Sequence, residues 1–293
     1  MIPFPNISPE IFSISLGEFE LTLRWYAVSY IAGFVVATYL MRFFIRRDRL
    51  WRYRTPPFDV DQADTFITYL ILGVIIGGRL GYVLFYNFAY YYENPGAILR
   101  VWDGGMAFHG GFIGVVMAVI LFTRYNGIPL LSAADLIAIA SPPGLMFGRL
   151  ANFVNAELWG RPTDAPWGII FPGERAQTCP GILGDCARHP SQLYEAGLEG
   201  LLLFVLLIIL AFLGCFKRPG LITGVFIIGY GISRYIVEFF RVADPQFVNA
   251  ENPLGYIYNY GDYGITMGQL LSLPMIFVGV IFILIGVGSK TKG

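Results

Sequence analysis

Charge is what this sequence has least of. Of its 293 residues only 14% are Asp, Glu, Lys or Arg, against 56% hydrophobic, and the 20 basic and 20 acidic side chains cancel to a formal charge of zero. A chain so poor in charge cannot solvate a globular surface, and its mean hydropathy of +0.61 places it among integral membrane proteins. Zero net charge offers nothing to a nucleic acid, so no nucleic-acid partner is expected. Histidine occurs twice and cysteine three times, with no cysteine pair at metal-ligand spacing from a histidine, and neither a metal nor another cofactor is expected. There is no GxSxG elbow, no HExxH and no GxxxxGK phosphate loop, which disfavours a hydrolase, a zinc protease and a nucleotide-driven pump. The first basic residue is Arg24, so the opening MIPFPNISPE lacks the charged start of a cleaved signal peptide and is expected to insert uncleaved.

Long apolar runs fill the space that charge leaves. Seven segments approach the ~20 residues that span a bilayer: roughly 25–45, 65–88, 106–123, 132–152, 193–213, 221–240 and 265–287. No soluble domain, long linker or internal repeat interrupts them. The expected fold is therefore all-α, a single polytopic membrane domain over residues 1–293 with about seven transmembrane helices. Eleven basic residues fall on the odd-numbered connections, led by Arg42, Arg46, Arg47, Arg49, Arg52 and Arg54 and ending with Lys290 and Lys292, against five on the others. That excess places the odd connections and the C-terminus in the cytoplasm and the N-terminus outside. The outer connections are rich in turn residues, and residues 156–190 are expected to form a small extracytoplasmic cap. Cys179 and Cys186 fall within it, where an oxidising compartment permits a disulfide; whether they pair is left open.

Glycines four apart, at Gly73, Gly77 and Gly81, at Gly110 and Gly114, and at Gly144 and Gly148, suit close helix packing. Tyr86, Tyr90, Tyr91, Tyr92, Trp102 and Trp159 flank the outer ends as an interfacial aromatic belt would.

Against this background a few polar residues stand out. Arg24, Arg79, Arg149 and Arg234 lie within or at the edges of spans, where a cation costs about 3 kcal/mol, and the first three fall toward the outer half. In GRLANFVNAELWG, Arg149, Asn152 and Asn155 recur at three-residue steps, one helix face if the helix continues that far. A guanidinium beside two amides can hold a phosphate through a bidentate fork; an arginine snorkelling to headgroups, with asparagines capping the helix, explains the same pattern. In GYGISRYIVEFFR, Tyr230, Arg234, Glu238 and Arg241 follow at steps of four, four and three, either an intrahelical ion pair or a second anion clamp. His109, in FHGGFIG, is a structural histidine or a proton acceptor near neutrality. His189, opening RHPSQLYE, reads as a capping and docking element, with Gln192, Tyr194 and Glu195 as candidate headgroup contacts and Glu195 able to pair locally.

Six motifs in order, RWYAVSY from Arg24, GGRLGYVLFYN from Gly77, RVWDGGMAFHGG from Arg100, GRLANFVNAELWG from Gly148, RHPSQLYE from Arg188 and GYGISRYIVEFFR from Gly229, resemble those of the bacterial prolipoprotein diacylglyceryl transferases. The resemblance covers nearly the whole chain. It implies transfer of the diacylglyceryl group of phosphatidylglycerol to the lipobox cysteine of a preprolipoprotein signal peptide at the bacterial inner membrane, with formation of a thioether and release of glycerol 1-phosphate. It further implies that Arg149 and Arg234 are essential for lipid binding or catalysis, and that His109 and Tyr26 belong to the family's functional set. Asn152, Asn155, Glu157, Gly160, Tyr230, Glu238 and Arg241 fall on motif positions and are expected at the substrate. One departure is Ala156, where the family pattern commonly has glycine.

The resemblance agrees with the chemistry. A thiol of pKa ~8.5 needs a base or a positive field at neutral pH, and a departing phosphate needs cations placed in advance. Arg149 and Arg234 suit the second task and His109 or a neighbouring polar group the first, in a site facing the outer leaflet and reached laterally from the bilayer. A transporter or scramblase for an anionic solute or phospholipid is the competing class, disfavoured by the missing inverted repeat and by the restriction of most polar motifs to the outer half.

Overall fold

The computed structural model describes residues 1–16, 19–179, 182, 184–243, 245–249, 252–260 and 263–288. Lys290 and Lys292, which entered the charge argument, lie outside the described residues, as do Pro180, Gly181 and Leu183 of the expected cap. The protein is predominantly helical. Six helices are long and apolar enough to cross a membrane: Trp25–Ile45, Val60–Phe85, Phe108–Asn126, Leu130–Val154, Ser191–Phe212 and Met267–Gly288. The remaining expected span forms a helix over Leu221–Val237, whose 17 residues extend about 25 Å at 1.5 Å per residue. It ends earlier than the apolar run because the chain turns at Glu238.

In chain order the elements are β1 (Ile2–Pro3), β2 (Glu10–Leu16), β3 (Phe19–Arg24), α1 (Trp25–Ile45), α2 (Val60–Phe85), α3 (Phe88–Glu93), α4 (Phe108–Asn126), α5 (Leu130–Val154), β4 (Ile169–Ile170), α6 (Glu174–Gln177), α7 (Ser191–Glu195), a π-helical stretch Ala196–Leu202, α8 (Leu203–Phe212), α9 (Leu221–Val237), β5 (Tyr256–Tyr260), β6 (Tyr263–Thr266) and α10 (Met267–Gly288). The strands were not foreseen. Among the described residues they form three two-stranded ladders, β1 parallel to β4 and the hairpins β2–β3 and β5–β6; the sequence of β3, FELTLR, does alternate apolar and polar residues, the period-2 signal of a strand. The chain divides into two compact units, Thr38–Ile137, and Met1–Ala37 with Ala138–Gly293.

Within the 38–137 unit, α2 begins at a capping box in which Asp59 Oδ1 accepts from the Gln62 amide at 2.8 Å and Gln62 Oε1 from the Asp59 amide at 3.2 Å. Apolar side chains gain little by leaving lipid for protein, so close packing holds such helices together. The expected glycines supply it: a Cβ at Gly77 would stand 2.8 Å from the Gly114 Cα, and one at Gly110 would stand 2.8 Å from the Gly81 Cα. Arg79, expected in a polar zone near the outer leaflet, is 4% exposed. Its guanidinium donates to the carbonyls of Ala97 (2.7 Å), Ile98 (2.8 Å), Arg100 (2.9 Å), Gly104 and Gly105 (3.1 Å). Five carbonyls use up its donors, so Arg79 organises the loop between α3 and α4.

In the other unit α9 and α10 pack through Gly224 and Gly279, and α1 meets α5 where the Gly33 and Gly144 backbones approach. Gly148 serves no such contact among the described residues. α10 opens with Thr266 and Gln269 in a reciprocal cap, Thr266 N to Gln269 Oε1 at 3.1 Å and Gln269 N to Thr266 Oγ1 at 3.3 Å.

The described residues of the connection from α5 to α7 pack within this unit. Phe4 packs between Phe153 and Phe171, with ring centroids 5.3 and 5.4 Å away, and β1 lies along β4. Cys179 and Cys186 form a disulfide. Arg188, 4% exposed, donates to the carbonyls of Ala176 (2.5 Å), Thr178 (3.0 Å) and Gly160 (3.3 Å), and its guanidinium lies 4.1 Å from the Trp159 ring centre. Trp159 thus stacks on the buried Arg188.

Candidate functional site

Three helices deliver ionised side chains to one place in the larger unit. Arg149 comes from the last turns of α5, Glu195 and Glu199 from α7 and the π-helical stretch, and Arg234, Glu238 and Arg241 from the end of α9 and the turn beyond. Arg149 Nε lies 3.2 Å from Glu195 Oε2, and its Nη2 lies 3.7 Å from Glu199 Oε2. Arg234 Nη1 and Arg241 Nη1 both donate to Glu195 Oε1, at 2.8 and 2.7 Å. Arg234 Nη2 reaches Glu238 Oε2 at 2.8 Å and Arg241 Nε reaches the same oxygen at 3.6 Å. Thr266 Oγ1 donates to Glu238 Oε1 at 3.2 Å.

Burial gives this network its energetic weight. The side chains of Glu195 and Glu199 are wholly buried, whereas those of Arg149 and Arg234 keep 21% of their surface exposed. An isolated buried charge costs several kcal/mol, so each carboxylate is affordable only beside its guanidinium partners. The Arg149 and Arg234 side chains keep part of their surface accessible. Tyr230, one turn before Arg234, is hydrogen-bonded to Arg149.

Glu195 and Glu199 are four residues apart, so they project from the same side of the helix and both face Arg149; the π-helical stretch Ala196–Leu202 lies between α7 and α8 at this point. Gly200 clears the way for α5, since a Cβ there would stand 2.9 Å from the Met146 Cα.

A second, neutral-and-acidic group sits at the end of α5. Tyr26, near the start of α1, donates its hydroxyl to Glu157 Oε1, and Asn152 Nδ2 donates both to the Tyr26 hydroxyl and, at 3.0 Å, to Glu157 Oε1. The Asn155 side chain also hydrogen-bonds Tyr26. Asn155 lies one residue past the end of α5, but its amide still reaches the Ala151 carbonyl at 2.9 Å, so the three-residue spacing holds. The α7 residues clamp the loop that follows: Gln192 Nε2 donates to the Glu157 carbonyl at 2.5 Å and Ser191 Oγ to that of Leu158 at 2.9 Å.

Gly160 has no room for a side chain. A Cβ there would overlap the Phe240 carbonyl and stand 2.8 Å from the His189 carbonyl, while its own amide donates to the latter at 2.8 Å. Ala156 adopts φ +51°, a left-handed conformation that glycine reaches without strain. His189 Nδ1 lies 3.0 Å from the Tyr194 hydroxyl, which also accepts from Trp167 Nε1 at 2.8 Å, and burial pushes the imidazole below its ordinary pKa. This is the docking role expected of His189.

His109 belongs to the other unit, in the first turn of α4, where its ring is exposed and meets Phe108 edge-on at 5.7 Å. Among the sequence candidates, then, Arg149, Tyr230, Arg234, Glu238 and Arg241 form one cluster, and Tyr26, Asn152, Asn155 and Glu157 a second. Glu195 does not pair locally but forms ion pairs with all three arginines from other parts of the chain. Glu199 was missed, although an acidic residue four places after Glu195 in an apolar run is itself a signal. Among the described residues no group of three or more His, Cys, Asp and Glu side chains is arranged to hold a metal ion.

Residues 10–285 match the family model described as Prolipoprotein diacylglyceryl transferase. The chain is 60% identical over 285 residues to the phosphatidylglycerol–prolipoprotein diacylglyceryl transferase of Ruegeria pomeroyi, covering 97% of each chain. It is 47% identical to the enzyme of that name from Bradyrhizobium diazoefficiens, covering 98% of this chain and 94% of the relative. With the one from Methylocella silvestris the identity is 46%, over 96% and 94%. Matches of this extent and identity, taken with a buried arginine cluster set among membrane-length helices, leave one conclusion: the chain belongs to the prolipoprotein diacylglyceryl transferase family.

Proposed function

We propose that the protein transfers the diacylglyceryl group of phosphatidylglycerol to the lipobox cysteine of preprolipoprotein signal peptides, the first step of bacterial lipoprotein maturation. The observation that carries the reading is the convergence of Arg149, Arg234 and Arg241 on the buried Glu195, with the two less buried guanidiniums open on one side. In the reaction the cysteine sulfur forms a bond to the terminal glycerol carbon of the diacylglyceryl group. The bond from that carbon to the phosphate oxygen breaks, and glycerol 1-phosphate leaves with the electron pair.

Arg149 and Arg234 hold the phosphate and stabilise the charge that grows on it as the bond breaks. Because their partners already fix them in place, little reorganisation accompanies that step. His109 takes the thiol proton. Tyr26, Asn152, Asn155 and Glu157 line the glycerol and acyl side of the site, and Gly160 holds the loop that closes over it. Tyr230, Glu238 and Arg241 orient the clamp. The phospholipid brings its own leaving group, so the scheme invokes neither metal nor nucleotide.

The topology that fits this chemistry has Leu221–Val237, continued by residues 238–240, as a seventh span, with the N-terminus outside and the C-terminus cytoplasmic. The arginine cluster then faces the outer leaflet of the inner membrane, where a signal-peptide cysteine and a lipid headgroup can meet. Mass spectrometry of a lipobox peptide incubated with purified protein and phosphatidylglycerol tests the reading. A diacylglyceryl mass on the cysteine, lost with Arg234→Ala, is the expected result; no adduct from folded wild-type protein overturns it.

A further inference from the structure

Of the three carboxylates in the arginine cluster, Glu199 stands apart. Glu195 accepts hydrogen bonds from Arg234 and Arg241, and Glu238 accepts one from Thr266. The Glu199 side chain is, like that of Glu195, wholly buried, yet neither of its oxygens accepts a hydrogen bond from any described residue, and its ion pair with Arg149 is long, at 3.7 Å. The charged and titratable groups around it are Arg149 from α5, Tyr230, Arg234 and Arg241 from α9 and the turn beyond, and Glu195 on its own helix.

The charges of the cluster explain what such a carboxylate can do. Three guanidiniums and three carboxylates cancel, so a phosphodiester anion entering the site adds an uncompensated negative charge where solvent is scarce. Protonating one carboxylate removes that excess. Glu195 and Glu238 would each lose charge-assisted hydrogen bonds on protonation, whereas Glu199 has none to lose and would gain an O–H donor.

We propose that Glu199 takes up one proton when the lipid phosphate binds, which converts the neutral cluster to a site of net charge +1 and releases the Arg149 fork to the phosphate. Glu199 acts through Arg149 and is therefore a positioning residue. The proposal rests on reading the Arg149–Arg234 cluster as the phosphate site.

The test is calorimetric titration of the purified full-length protein in detergent with dioctanoyl phosphatidylglycerol, in buffers of differing ionisation enthalpy. Wild-type protein is expected to take up close to one proton per lipid bound, with Kd rising by up to about tenfold per pH unit in the linked range. Glu199→Gln, which keeps the shape but is fixed neutral, is expected to bind without proton uptake and with a Kd that is flat against pH. Absence of uptake by wild-type protein overturns the proposal, a result that needs no variant to fold. Retention of the wild-type uptake by Glu199→Gln overturns it equally. Arg234→Ala separates the two levels: if that variant binds the lipid as wild type does, the phosphate-site reading itself fails. If it loses binding while Glu199→Gln keeps the wild-type proton linkage, only the role of Glu199 fails.

Discussion

Glu195 and Arg234 meet at 2.8 Å across two helices, and the same Glu195 oxygen accepts Arg241 at 2.7 Å. One wholly buried carboxylate therefore anchors two guanidiniums and, through its other oxygen, stands 3.2 Å from a third. Its removal leaves three like charges facing one another. Glu195→Ala is expected to destabilise the folded protein by about 3–5 kcal/mol, as loss of one partner from a buried ion pair does, and to abolish transfer. Thermal unfolding in detergent and the lipobox-peptide assay measure the two effects; a variant as stable and active as wild type would contradict the anchoring role.

The Tyr26 hydroxyl is shared by Asn152, which donates to it, and Glu157, which accepts from it. Tyr26→Phe removes both of these contacts while Asn152 still donates to Glu157 at 3.0 Å, at a cost of about 1 kcal/mol per lost hydrogen bond. Transfer is expected to slow by about 10- to 100-fold, with most of the loss in kcat if the pair orients the reacting glycerol. Steady-state kinetics with varied lipid concentration separate this from a loss of binding.

His109 is the proposed proton acceptor. His109→Gln keeps a polar side chain of similar reach but removes the base, and is expected to lower kcat by about 10² or more. A rate like that of wild type would remove histidine from the mechanism.

Ala156 occupies a left-handed backbone position, where a Cβ costs about 1–2 kcal/mol and the added freedom of glycine in the unfolded chain offsets part of any gain. Ala156→Gly is expected to stabilise the protein by about 0.5–1 kcal/mol, visible as a rise in Tm. An unchanged or lower Tm would show that the methyl group contributes packing that outweighs its strain.

Burial lowers the His189 pKa, so the folded protein binds this proton less readily than the unfolded chain does. The associated stability is complete above the unfolded value of about 6.5 and is lost as pH falls through the window between that value and the lower folded one. Comparing Tm against pH for wild type and His189→Asn isolates the contribution: the wild-type curve should fall more steeply below about pH 6.5.

The membrane helices were legible because length and hydropathy are local properties. The second span was expected from about residue 65, whereas α2 starts at Val60 behind the Asp59–Gln62 capping box, a polar start signal that hydropathy alone does not register. The glycines at 73, 77, 81, 110 and 114 were legible as a packing stripe, but not as partners of one another. The ladder of β1 with β4 was hidden because its partners are more than 160 residues apart and two residues long. Arg79 and Arg149 looked alike in sequence, each a lone cation in an apolar run. One is consumed by five backbone carbonyls, and the other faces two buried carboxylates.

By itself the sequence determined that the chain lives in a membrane, where its helices run, which polar side chains required a purpose there, and the family those motifs resemble. These follow from the cost of charge in lipid and from the spacing of residues along one helix. Only the tertiary structure decided that Glu195 is the shared anion of three arginines, that Tyr26 meets Glu157 across 131 residues, and that Glu199 is buried without a hydrogen bond. Those outcomes depend on which helices pack together. Such relations join residues distant in the chain, and periodicity along any single helix cannot report them.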